Sequence, residues 1–234
     1  MDKYKLLAII AGIILILLFV VLSSRHRIIK TYEKYLKVGN LANLTGKELA
    51  FLSKINLDLP DLKFALTDVK LGDAYSPKYK TLIISEDVCN TASLASLTIV
   101  AHELGHAMQH KNESPLFVAN QLFSMFTRFT NKFIIPLLSF GILFYLLKFP
   151  NDSLGQIFIL ISGILFLLHV FKLLLNIPLE YNASNRALKY LKEYNYVSSS
   201  EYKKAKKLLS IAAQTYIAGL LDELFIINKK RKKR

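Results

Sequence analysis

Thr98-Ile-Val-Ala-His-Glu-Leu-Gly-His-Ala-Met-Gln-His110 carries the pattern H-E-x-x-H at His102, Glu103 and His106. On an α-helix, residues four apart share a face, so the two imidazoles can point at one metal ion. Glu103, one position round, sits beside that ion, where a carboxylate can take a proton from a metal-bound water. The surrounding sequence supplies the helix this geometry needs. Asn90 or Thr91 can cap it, and Ala92, Leu94, Ala95, Leu97, Val100, Ala101 and Leu104 give it an apolar body. No proline falls between Asn90 and His110. Three of the five histidines lie within nine residues here, which favours a metal site over a chance match on a packed helix.

A catalytic zinc usually takes three protein ligands and keeps a fourth position for water. His110 lies about 12 Å along the helix axis from His102, too far to close on the same ion. It reads as a surface residue or a support behind the ligands. A carboxylate from another helix remains. Glu180 fits best, flanked by Ile177, Leu179 and Ala183 just after an apolar stretch. Asp73 and Glu86, in or near turns, are the weaker alternatives.

The rest of the chain points to a membrane. Of 234 residues, 53% are hydrophobic, with a mean hydropathy of +0.33. Residues 6–22 are an uninterrupted apolar run, about 25 Å long as a helix and close to the thickness of a hydrocarbon core. Lys3 and Lys5 precede it as in a signal peptide, but no A-x-A site follows, so it reads as an uncleaved anchor. Residues 133–147 and 157–175 are two further apolar stretches around a turn at 148–155, together a transmembrane hairpin. Lys172, near the end of the second stretch, can snorkel, and His169 reads as a hydrogen-bonded interior residue. The net charge is +14, and fifteen of the 31 lysines and arginines cluster in 25–37, 203–207 and 229–234. Such clusters beside apolar spans place their segments on the cytoplasmic face, against anionic lipid. No nucleic-acid-binding motif accompanies them, so nucleic acid is not expected as a partner. The single cysteine, Cys89, excludes an intramolecular disulfide and a thiolate cluster.

Four segments follow: an anchor at 1–24, a first protease half with the motif helix at 25–131, the hairpin at 132–175, and a second half with the third ligand and a basic tail at 176–234. Residues 25–40 and 41–59 read as helices, the second started by Asn43 or Thr45. Phe64–Val69 alternates and Thr81–Ile84 is β-prone, predicting one or two hairpin-like strands leading directly into the motif helix. Residues 176–194 read as a helix with Pro178 near its start. Ser198 and Glu201 form a capping box for a last helix, which packs on the core or lies at the interface and does not make a fourth span.

The chain resembles the YugP-like neutral zinc metallopeptidases, a bacterial membrane family of gluzincin type. Asn43-Leu-Thr-Gly-Lys-Glu-Leu-Ala50, Asp73-Ala-Tyr-Ser-Pro77, Leu82-Ile-Ile-Ser85, Ala101–His110, Pro178-Leu-Glu-Tyr-Asn-Ala-Ser-Asn-Arg-Ala-Leu188 and Ala213-Gln-Thr-Tyr-Ile-Ala218 carry the resemblance. It implies a mainly α membrane protein: a zincin-like metalloprotease domain with a short β element, an N-terminal anchor and a transmembrane helical hairpin. It implies one catalytic zinc held by His102, His106 and Glu180, with Glu103 as base. There are departures. The family's Asp-His-Tyr-Asp-Pro reads here as Asp73-Ala-Tyr-Ser-Pro77, and its aspartate after the ligand is Asn182.

The expected function is a membrane-anchored zinc endopeptidase, hydrolysing peptide bonds with a zinc-activated water and Glu103 as general base. Its partners would be a peptide or protein substrate and membrane lipids. Its place would be the cell membrane, multi-pass, with the active site on the cytoplasmic side. Arg186, six residues after Glu180, is the candidate stabiliser of the transition state, with a structural ion pair as its competing role. Tyr75 and Tyr216 are weaker candidates. The alternative is a catalytically inactive membrane scaffold or anionic-lipid-binding protein. The intact set of His102, Glu103, His106 and Glu180 separates the two, because an inactive relative would be expected to have lost at least one.

Overall fold

The computed structural model of the chain describes residues 23, 26–148 and 152–224. The expected anchor at 6–22 and the middle of the turn at 148–155 lie outside these residues. Helix α1 covers residues 26–36. It is followed by α2 (Gly46–Asn56), β1 (Lys63–Thr67), β2 (Ala74–Ser76), a 3-10 turn (Pro77–Tyr79) and β3 (Thr81–Ser85). Then come α3 (Glu86–Asn90), α4 (Leu94–Lys111), α5 (Pro115–Leu147), α6 (Asp152–Glu193) and α7 (Ser199–Leu224). The described chain is therefore mainly helical with one small sheet.

Local chemistry sets the element starts. Thr45 caps α2: its hydroxyl accepts from the Glu48 N–H, and the Glu48 carboxylate accepts from the Thr45 N–H at 2.8 Å. Asn43, the other expected start, occupies a left-handed turn position at φ 51°. Ser198 and Glu201 cap α7 in the same reciprocal way, at 2.7 and 3.3 Å. The motif helix departs from expectation. Ser93, and neither Asn90 nor Thr91, caps α4, accepting from the Ser96 N–H at 3.0 Å. Asn90 is already the last residue of α3, a short helix that separates β3 from α4.

The strands also depart from a simple hairpin. Their order is β1-β3-β2; β1 runs parallel to β3, and β2 antiparallel to it. The 3-10 turn, closed by Lys80 at φ 48°, links β2 to β3 locally. The β1–β3 pairing spans intervening chain and leaves no turn signal between neighbours.

The described residues up to Glu113 and from Glu180 onward form one compact unit, and Ser114–Leu179 form another. In the first, α4 is central, packed against α2, α3, α7 and the sheet. Its Leu94, Ala95, Leu97, Ala101 and Leu104 are fully buried. The second holds α5 and α6 as far as Leu179, and the rest of α6, from Glu180, belongs to the first; α5 and α6 are the two helices among the described residues that are long and apolar enough to cross a membrane. Pro136 lies inside α5, and Pro178 lies inside α6, where the sequence had suggested a position near a helix start. Each proline removes one backbone hydrogen bond, a local cost that long apolar helices tolerate.

Candidate metal centre

Two helices meet at a glycine. A side chain at Gly105 would collide with the carbonyl oxygen of Ala183 on α6. Glycine here lets the backbones of α4 and α6 touch. Ala183 and Ala187 on the facing side are fully buried.

That contact brings Glu180 to the motif histidines. The His102 and His106 rings stand nearly perpendicular, with centroids 5.0 Å apart. Glu180 Oε2 lies 3.1 Å from His102 Nε2 and 3.4 Å from His106 Nε2. One ligand atom from each of the three residues falls within 4.8 Å of the other two. Ligands held tetrahedrally by zinc at about 2.0–2.2 Å stand roughly 3.3–3.6 Å from one another. The observed separations match that spacing closely enough for small side-chain adjustments to close it. Two imidazoles and a carboxylate are also a donor set of catalytic zinc, so these residues fit the ion.

The electrostatics agree with a paired set. Burial alone would raise the Glu180 carboxyl, but hydrogen bonds from His102 and His106 outweigh it and bring its pKa down to about 2. Burial alone would lower His106, yet the Glu180 hydrogen bond and the Glu103 and Glu180 charges raise it to about 9. Glu103 is buried beside them. Burial pushes its carboxyl up, and the neighbouring imidazoles pull the other way.

Comparison with known proteins supports the same reading. The family described as "Putative neutral zinc metallopeptidase" matches residues 9–229. The chain belongs to this family. A relative, "Putative membrane protease YugP" of Bacillus subtilis (strain 168), is 30% identical over 204 residues, 86% of each chain. No solved structure matches the chain.

In this metallopeptidase family member, the candidate ligands are backed by a polar chain. His106 Nδ1 lies 2.9 Å from Gln109 Oε1, and Gln109 Nε2 donates to Asn182 Oδ1 at 3.0 Å. Arg186 Nε donates to the same Asn182 Oδ1 at 2.8 Å. An arginine can only donate, so it fixes which side of the Asn182 amide faces it. The polarity passes along: Gln109 must offer its NH₂ to Asn182 and its oxygen to His106. The Gln109 oxygen thus keeps a hydrogen on His106 Nδ1, so the proton on Nε2, shared with Glu180, is the one a metal would displace. On the other ligand, Ser184 Oγ lies 3.2 Å from His102 Nδ1.

Sequence reasoning missed Gln109, Asn182 and Ser184 as supports. Ser184 is one turn beyond Glu180 and Gln109 three residues beyond His106, so helical spacing did offer a signal. Arg186 directs its Nε at Asn182. His110 stands outside the donor cluster, with its Nδ1 2.8 Å from the Tyr75 hydroxyl. Asp73 is committed elsewhere, accepting from the Ser85 N–H at 2.7 Å and from the Ser85 hydroxyl at 3.0 Å. Glu86 is an exposed first residue of α3. The side chain of Tyr216 lies outside the described residues. A pocket of about 230 Å³ opens beside His102 and Glu103.

Proposed function

We propose that the chain is a membrane-anchored zinc endopeptidase acting on peptide or protein substrates at the cytoplasmic face of the cell membrane. The observation that carries this reading is the convergence of His102, His106 and Glu180 on one point, with Glu103 buried beside them. Zinc, when bound there, supplies Lewis acidity that activates water and polarises a carbonyl. The protein's own residues do the rest. His102, His106 and Glu180 hold the ion. Glu103 takes a proton from the attacking water and passes it to the leaving amine nitrogen. Burial raises its carboxyl, which strengthens it as the base that takes the proton. Arg186 is our candidate for the developing oxyanion through its terminal nitrogens, since its Nε is committed to Asn182. Cytoplasmic placement is supported by the basic clusters at 25–37 and 203–207.

The test combines zinc content with proteolysis of a loosely folded substrate by purified full-length protein. Glu103→Gln is expected to keep zinc and lose cleavage by at least a hundredfold. Glu180→Ala is expected to lose zinc. Zinc bound to Glu180→Ala as tightly as to wild type would remove Glu180 from the ligand set. Undiminished cleavage by Glu103→Gln would end its role as base.

A further inference from the structure

We propose that the pocket beside Glu103 selects substrates by a large apolar side chain, aromatic or long aliphatic, on the residue next to the scissile bond. This rests on the peptidase reading above. Three helices and a loop build the walls: Ile28 and Tyr32 on α1, Ile99 on α4, Leu208 and Ala212 on α7, and Leu71 before β2. His102 and Glu103 line the same pocket, so a side chain seated there lies beside the candidate base. The volume is about 230 Å³. An aliphatic cavity of roughly 150 Å³ accepts benzene. The room here therefore suits a phenylalanine, tyrosine, leucine or methionine side chain.

Charge and hydrogen bonding narrow the choice further. Asp73 and Glu103 both line the pocket and repel an acidic side chain. Asp73 is no ready counter-ion for lysine, because Ser85 already occupies it and aliphatic walls would strip the ammonium of water. Tyr32 is fully buried and contributes its ring to the wall.

The experiment uses zinc-loaded full-length protein in detergent and a set of peptides differing at one position as Phe, Tyr, Leu, Ala or Glu. Cut sites are mapped by mass spectrometry. Cleavage beside Phe, Tyr and Leu is expected to exceed that beside Ala and Glu at least tenfold in kcat/KM. Ala212→Phe and Ile28→Phe narrow the pocket from two separate walls. Each is expected to lower the Phe-to-Ala ratio at least tenfold while zinc stays at one per chain. Using both keeps the test open if one variant fails to fold. A flat preference in wild type, or an unchanged ratio in either zinc-loaded variant, overturns the pocket assignment. No cleavage of any peptide by zinc-loaded wild type overturns the peptidase reading itself.

Discussion

At the scale of single residues, the metal-free centre is a charge-paired cluster, and its pH behaviour follows. The Glu180 carboxyl is depressed from 4.5 to about 2, so its contribution to stability is complete above pH 4.5 and lost as pH falls through about 2. His106 is raised from 6.5 to about 9, so its contribution is complete below pH 6.5 and lost as pH rises through about 9. Thermal melts of metal-free protein should show the cluster's stabilisation greatest between pH 4.5 and 6.5. Zinc uptake should run the other way on the alkaline side. His106 must give up its proton to bind, so chelator competition should report affinity rising with pH towards 9. Behind His106, Gln109→Leu breaks the amide chain to Asn182 and Arg186. We expect zinc affinity to fall about 10–100-fold, with the far-ultraviolet circular dichroism unchanged.

At the scale of elements, the decisive contact is that of α4 with α6. Gly105→Ala forces a methyl against the Ala183 carbonyl and must spread the helices. The expected cost is about 1–3 kcal/mol, read as a lower melting temperature, together with reduced zinc content. The same contact explains what could be read from the sequence. His102 and His106 were legible because their relation is internal to one helix. Glu180 was legible as a carboxylate leading out of an apolar stretch. Gln109 and Asn182 were not paired, because their meeting depends on the register between two helices, set by a glycine and an alanine that look unremarkable in sequence. The capping boxes at Thr45 and Ser198 were legible from four residues each. Ser93 was obscured by α3, whose last residue looked like a cap. The parallel β1–β3 pairing was hidden because no local turn encodes it.

At the scale of the whole molecule, the two apolar helices α5 and α6 make the topology testable. Cys89 is the sole cysteine and is buried, so an introduced cysteine can serve as reporter. Ser153 is exposed at the start of α6, and Ser200 is exposed at the start of α7. A membrane-impermeant maleimide should label Ser153→Cys in intact cells and Ser200→Cys only after the cells are opened. The reverse pattern would place the active-site unit outside. Finally, the donors His102 and Glu180 are separated by 78 positions in the chain. At synthesis rates of about 5–20 residues per second, roughly 4–16 s pass between the emergence of the motif helix and that of Glu180. Throughout that interval both apolar helices are being made and no complete centre exists. On the peptidase reading, the nascent chain would thus stay inactive until the apolar part of α6 has been made.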